Sequence, residues 1–171
     1  MLNIALRAAR SAGELIFRSI ERLDVISVSE KDAHDYVSEV DRAAEQTIIQ
    51  ALQKAYPTHG FMGEESGIIQ GTGDGADYQW IIDPLDGTTN FLRGIPHWAI
   101  SIAVEKRGPD GTSELVAGLV YAPVGDEMFV AEKGGGAFLN ESRLRVSGRR
   151  DMAPALFATG TLAALALAFT F

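Results

Sequence analysis

Two carboxylates stand three residues apart in Ile81-Ile82-Asp83-Pro84-Leu85-Asp86-Gly87-Thr88-Thr89-Asn90, at the end of an apolar run. An apolar run that passes directly into charge reads as a strand leaving the core, which exposes Asp83 and Asp86 at its end. Their spacing lets both face one point, and the Leu85 carbonyl between them can turn toward it. Carboxylate and carbonyl oxygens form a hard donor set, and magnesium is the natural candidate. Gly87 allows close backbone approach, and the amides of Gly87, Thr88 and Thr89 can open a helix whose N-terminus takes a phosphate. In isolation, a pair of Asp residues at this spacing is at least as often a polar turn with Asp and Thr as caps.

A second acidic cluster, Gly63-Glu64-Glu65-Ser66-Gly67, follows the apolar Phe61 and Met62, so it also sits where a strand leaves the core. It can supply a third metal carboxylate, Glu64, although such a segment alone is usually a solvated loop. Asp41, taken alone, reads as the cap of a helix. His97, beside Trp98, reads as a structural or loop histidine, and His34 and His59 have no matching partner in the sequence. Arg143, Arg145, Arg149 and Arg150 read as a solvated basic face.

The elements that must position these groups follow from periodicity. Leu2, Leu6, Ala9, Gly13, Ile16 and Ile20 recur at three- and four-residue spacings and predict an amphipathic helix from about Leu2 to Arg22. A second helix is expected to begin near Ser38 or Asp41, to bury Ala44, Ile48, Leu52 and Ala55, and to end before Pro57. From Trp80 onward, short apolar runs between turn residues (QWIID, WAISIAVEK, ELVAGLVYA, EMFVAEK and GAFLN) predict antiparallel strands. The expectation is an α+β fold with two N-terminal helices packed on a mainly antiparallel sheet.

Composition narrows the function. The 171 residues are 46% hydrophobic, enough for one sizeable core, and carry a formal charge of -8. That charge argues against direct nucleic-acid binding, which depends on clustered Lys and Arg, and an acidic protein acting on an anionic substrate needs cations. The absence of cysteine excludes disulfides, thiolate zinc sites and cysteine nucleophiles, and fits a cytoplasmic location. Arg7, Arg10 and Glu14 interrupt what would have to be the apolar part of a signal peptide. The apolar stretch Leu162 to Phe171 is far shorter than the roughly 20 residues of a spanning helix, so no membrane anchor is expected.

Taken together, GEES followed by WIIDPLDGTTN resembles the inositol monophosphatase family, whose signature is a strand reading WxxDPxDGTxN with an upstream GEE element. The resemblance extends over MLNIALRAARSAGELI, the stretch from Lys31 through Asp35, Val37 and Asp41, Ile95-Pro96-His97, and GGGAFLN, covering about residues 1–160, and is closest to the bacterial SuhB-type branch. It implies the layered αβαβα sugar-phosphatase fold. It also implies magnesium-dependent, lithium-sensitive hydrolysis of inositol monophosphate, or a similar small polyol or sugar phosphate, by direct attack of water. Glu64, Asp83 and the Leu85 carbonyl would hold one magnesium, and Asp83 and Asp86 would contribute to a second. Glu64 and the Thr88 hydroxyl, oriented by Asp41, would position the water. The amides of Gly87, Thr88 and Thr89 would hold the phosphate. The implied partners are a small phosphate monoester, a second copy in a homodimer and, for the SuhB-type branch, the transcription machinery.

The resemblance ends near Gly160. Family members continue for roughly another hundred residues into a further α/β layer, whereas Thr161 to Phe171 form an atypical apolar tail. The expectation is an N-terminal domain over 1–160 followed by a frameshifted, spliced or incomplete ending, without the family's later metal aspartate. A second metal ion would then be weakly held, and a catalytically impaired fragment is the alternative to an active phosphatase.

Overall fold

The computed structural model describes residues 1–26, 30–148 and 150–153, with the side chains of residues 21–26, 30–36 and 38 set aside. The tail after Gly160, Arg149 and the side chains of Lys31, His34 and Ser38 therefore lie outside the described residues.

The chain begins with two long helices, α1 (Leu2–Ile26) and α2 (Glu30–Ala55). On α1 the fully buried stripe is Ala5, Ala8, Ala9, Ala12 and Ile16, with Leu2, Leu6 and Ile20 half-buried at its margins. Small side chains along that stripe allow α1 to pack closely on α2, where Ala44, Ile48 and Leu52 are buried. Ala55 is exposed in the last turn, contrary to expectation, because α2 ends there, ahead of Pro57. The helix also starts earlier than expected. No glycine or proline interrupts residues 30–55, so the helix extends back to Glu30, and Asp41 lies in its interior instead of capping it.

Eight strands follow: β1 (Gly60–Gly63), β2 (Gly67–Ile69), β3 (Tyr78–Asp86), β4 (Ala99–Arg107), β5 (Ser113–Ala122), β6 (Glu127–Glu132), β7 (Gly136–Leu139) and β8 (Ser142–Arg143). A short helix, α3 (Thr88–Leu92), joins β3 to the loop before β4. The strands form one sheet in the order β2-β1-β3-β4-β5-β6-β7-β8, in which β1 runs parallel to β3 and every other pair is antiparallel. The expected strands correspond to β3 through β7. The short β2 and β8 carry too little periodicity to be seen in sequence.

The core lies between the helices and one face of the sheet. Trp80, Ile82, Ile100, Ile102, Val104, Leu119 and Tyr121 alternate along β3, β4 and β5 and point under α1 and α2. On the opposite face Leu115 and Val120 are exposed. Among the described residues no helix is long and apolar enough to cross a membrane.

This difference between the faces is measurable by urea unfolding. Ile102→Ala, which empties a site at 1% exposure, is expected to cost about 2–5 kcal/mol. Leu115→Ala, on the open face, is expected to stay within about 0.5 kcal/mol.

Candidate active site

In a regular strand, residues three apart point to opposite faces, so Asp83 and Asp86 would diverge. The register between β3 and β4 avoids that outcome: Asp83 pairs with Ser101 and Asp86 with Ala99, so three steps on β3 oppose two on β4. Pro84, which has no N–H for the ladder, sits in this bulge. The extra residue slips the alternation. Pro84 and Leu85 are both buried, while Asp83 is half-buried and Asp86 exposed, which places the two carboxylates on the same side. The bend is held locally, since the Leu85 N–H donates to Asp83 Oδ1 at 3.2 Å.

Gly87 follows in the left-handed region at φ 97°, and a Cβ there would come within 3.0 Å of the His97 carbonyl oxygen. Glycine therefore lets the chain turn sharply from β3 into α3 while the loop before β4 crosses close behind it. The Thr88 hydroxyl donates to the Leu85 carbonyl at 3.0 Å, so these two groups share one side of the turn. Asn90 fixes the crossing loop by donating through Nδ2 to the His97 carbonyl at 2.7 Å, and Phe91 packs edge-on against Trp98 at 5.7 Å.

The second acidic segment arrives from the neighbouring strand. Because β1 is parallel to β3, it ends level with Ile82, and the Glu64 N–H donates to the Ile82 carbonyl at 3.3 Å. Glu64 thus stands beside Asp83. From above, α2 contributes Asp41 and, one turn later, Glu45, which are 5% and 1% exposed. Glu45 accepts hydrogen bonds from the Glu65 and Ser66 amides. Asp41 Oδ1 is buried without a hydrogen-bond partner among the described residues.

Gathering these acids has an electrostatic consequence. Burial raises the Asp41 carboxyl from 3.8 to about 7, reinforced by the negative charges of Glu65, Glu64, Asp83 and Glu45. Burial also raises Asp83 to about 6, with Glu64 and Asp86 adding to the effect and the Leu85 N–H opposing it. Among the described residues no three acidic side chains converge on one point at coordination distance. Mutual repulsion opposes the closer approach of Glu64, Asp83 and Asp86, and the charge of a cation is what can offset it. A buried orphan oxygen, two elevated carboxyls and an all-oxygen donor set fit a hard divalent ion.

Other sequence candidates lie elsewhere. His97 is exposed on the loop. His59 makes structural contacts only: its Nδ1 accepts from Trp80 Nε1 at 3.1 Å, and its ring stacks on Tyr56 and Tyr78. It is a structural histidine away from the carboxylates. Arg143, Arg145 and Arg150 are exposed, as a solvated basic face requires. Glu45 is the residue that sequence reasoning missed. Its only signal was a carboxylate four residues after Asp41, on a helix face otherwise occupied by Ala44 and Ile48.

Two helices on one face of an eight-stranded, mainly antiparallel sheet, with carboxylates crowded at the end of a bulged strand, form the fold seen in the inositol monophosphatase of Anabaena, with a TM-score of 0.68 at 30% identity over 86% of this chain and 50% of that one. The chain belongs to the inositol monophosphatase family, whose family model matches residues 1–165. It is 67% identical over 160 residues to the Nus factor SuhB of Pseudomonas aeruginosa, an alignment covering 94% of this chain and 57% of that protein. It is 50% identical over 161 residues to the inositol-1-monophosphatase of Rhizobium meliloti, covering 94% and 58%. The crystal structure of the extragenic suppressor protein suhB of Bartonella henselae superposes with a TM-score of 0.74 at 47% identity, covering 87% of this chain and 55% of that one. The chain thus spans less than three fifths of the length of these curated relatives.

The elevated carboxyls predict an unusual pH dependence. A folded-state pKa above the unfolded value means that the folded chain binds more protons between about pH 4 and pH 7, so stability falls as pH rises through this window. Without divalent ions, the melting temperature should be higher at pH 5.5 than at pH 8. Asp41→Asn should raise it at pH 8 by on the order of 5 °C and flatten the profile. A metal-free profile that rises from pH 5.5 to pH 8 would contradict the charge crowding.

Proposed function

We propose that the chain carries the cation- and phosphate-binding part of a magnesium-dependent phosphatase that hydrolyses inositol monophosphate or a similar small polyol or sugar phosphate. The observation that carries this reading is the buried Asp41 Oδ1, without a hydrogen-bond partner among the described residues, facing a strand end where Glu64, Asp83 and Asp86 crowd together in an inositol monophosphatase-family fold. Glu64, Asp83, Asp86 and the Leu85 carbonyl are the groups that would hold magnesium. When bound, magnesium supplies charge neutralisation and acidifies water.

The chain's own groups account for the remaining roles. Glu64 and the Thr88 hydroxyl orient the attacking water, and Asp41, from α2, fixes that arrangement and can accept a proton near neutral pH. The N–H groups of Gly87, Thr88 and Thr89 serve the phosphate oxygens, favoured by the sharp turn at Gly87 that leads into α3. Water attacks phosphorus, the bond to the alcohol oxygen breaks, and the products are the free alcohol and inorganic phosphate. Most of the catalytic effect is positioning and charge stabilisation. The reading includes lithium inhibition, a homodimer and action in the cytoplasm.

A second role is favoured by the 67% identical relative named as a Nus factor: binding to the transcription machinery through a surface that does not use the carboxylates. Capture of RNA polymerase or an elongation factor at physiological salt, unchanged by Asp83→Asn, would support it. Absence of capture would remove it.

Phosphate release from inositol 1-phosphate tests the first reading. Release should require magnesium, fall with added lithium and drop by at least about 100-fold in Asp83→Asn. Full magnesium-dependent activity in that variant would overturn the assignment of Asp83.

A further inference from the structure

The geometry points to Glu45 as a positioning residue that sets Glu64 for cation binding, an inference that rests on the magnesium reading above. Glu45 is on α2, one turn beyond Asp41, and is 1% exposed. Its two oxygens serve separate backbone donors: Oε2 accepts the Glu65 N–H at 2.9 Å and Oε1 accepts the Ser66 N–H at 2.8 Å. A buried carboxyl group normally needs a compensating cation or several hydrogen bonds. Here the compensation comes from the backbone of the acidic segment itself. Charge-assisted bonds to successive amides fix the peptide planes immediately after Glu64.

The other side of Glu64 is fixed as well, because its own N–H donates to the Ile82 carbonyl on β3. The backbone of Glu64 is therefore tied both to the helix that bears Asp41 and to the strand that bears Asp83. What remains is its side chain, which lies against Asp83. Gly63 is matched to this clamp: a Cβ there would lie 2.3–2.7 Å from the carboxyl atoms of Glu45, so the carboxyl group occupies the space a side chain would fill. The glycine before Glu64 and the buried acid on α2 form one device.

The test combines magnesium calorimetry with amide hydrogen exchange on the whole chain, unaltered and as Glu45→Gln. The glutamine keeps the size of the side chain but turns a donor NH2 toward one of the two N–H groups. Glu45→Gln should weaken magnesium binding about 10- to 100-fold and speed exchange at Glu65 and Ser66, while exchange in β4 and β5 stays unchanged. In phosphatase assays the magnesium needed for half-maximal rate should rise by a similar factor, with the rate at saturating magnesium recovering to within a few-fold.

Equal magnesium affinity in the two proteins would overturn the role of Glu45 and leave the magnesium reading intact. An unaltered chain that takes up no magnesium would overturn both. Should Glu45→Gln fail to fold, exchange in the unaltered metal-free chain decides: protected Glu65 and Ser66 amides support the clamp, and exchange as fast as in an unstructured peptide overturns it.

Discussion

The constraint on which the rest of this structure depends is the crowding of like charge at one end of the sheet. Asp41, Glu45, Glu64, Asp83 and Asp86 come from a helix, a loop and a strand end, and their proximity works against folding unless protons or a cation offset it. The hydrophobic contacts of α1 and α2 with β3, β4 and β5 supply the opposing stabilisation. A buried layer that includes Trp80, Ile82, Ile100, Ile102 and Leu119 holds the acids together from below. The Asp41 oxygen that has no partner among the described residues is thus a cost carried by the core, and it lies where a function would need such a group.

Three backbone devices turn this crowding into a shaped site. The bulge at Pro84 puts Asp83 and Asp86 on one side. The parallel pairing of β1 with β3 brings Glu64 level with Asp83, an arrangement that an antiparallel hairpin would not give. Gly87, at positive φ, turns the chain so that the Thr88 hydroxyl and the Leu85 carbonyl meet. Each is a local departure from regular strand geometry, and all three fall within a few residues of the acids. The remainder of the sheet is regular apart from a single irregularity between β4 and β5.

Much of this was legible in the sequence for a physical reason. Amphipathic periodicity in α1 and α2 and short apolar runs in β3 through β7 report burial directly, and the acids at the strand end report where burial stops. What was not legible depended on pairing. Nothing in Gly60-Phe61-Met62-Gly63 states that it runs parallel to β3, and a bulge is a property of two strands in register. The start of α2 was misplaced because Asp41 resembles a cap by residue type, whereas the uninterrupted segment from Glu30 keeps it inside the helix. Two of the three partners of His59, Trp80 and Tyr78, lie about twenty residues ahead of it, and Glu45 serves amides twenty and twenty-one residues away. Contacts over such separations leave no local pattern.

The central claim is that the strand end between Glu64, Asp83 and Asp86 is built to be closed by a divalent cation. Anomalous diffraction from crystals of this chain grown with manganese, a hard divalent substitute for magnesium, tests it most directly. The account predicts an anomalous peak coordinated by carboxylates of Glu64 and Asp83 together with the Leu85 carbonyl. Manganese bound only elsewhere on the surface, with these three groups left apart, would contradict it.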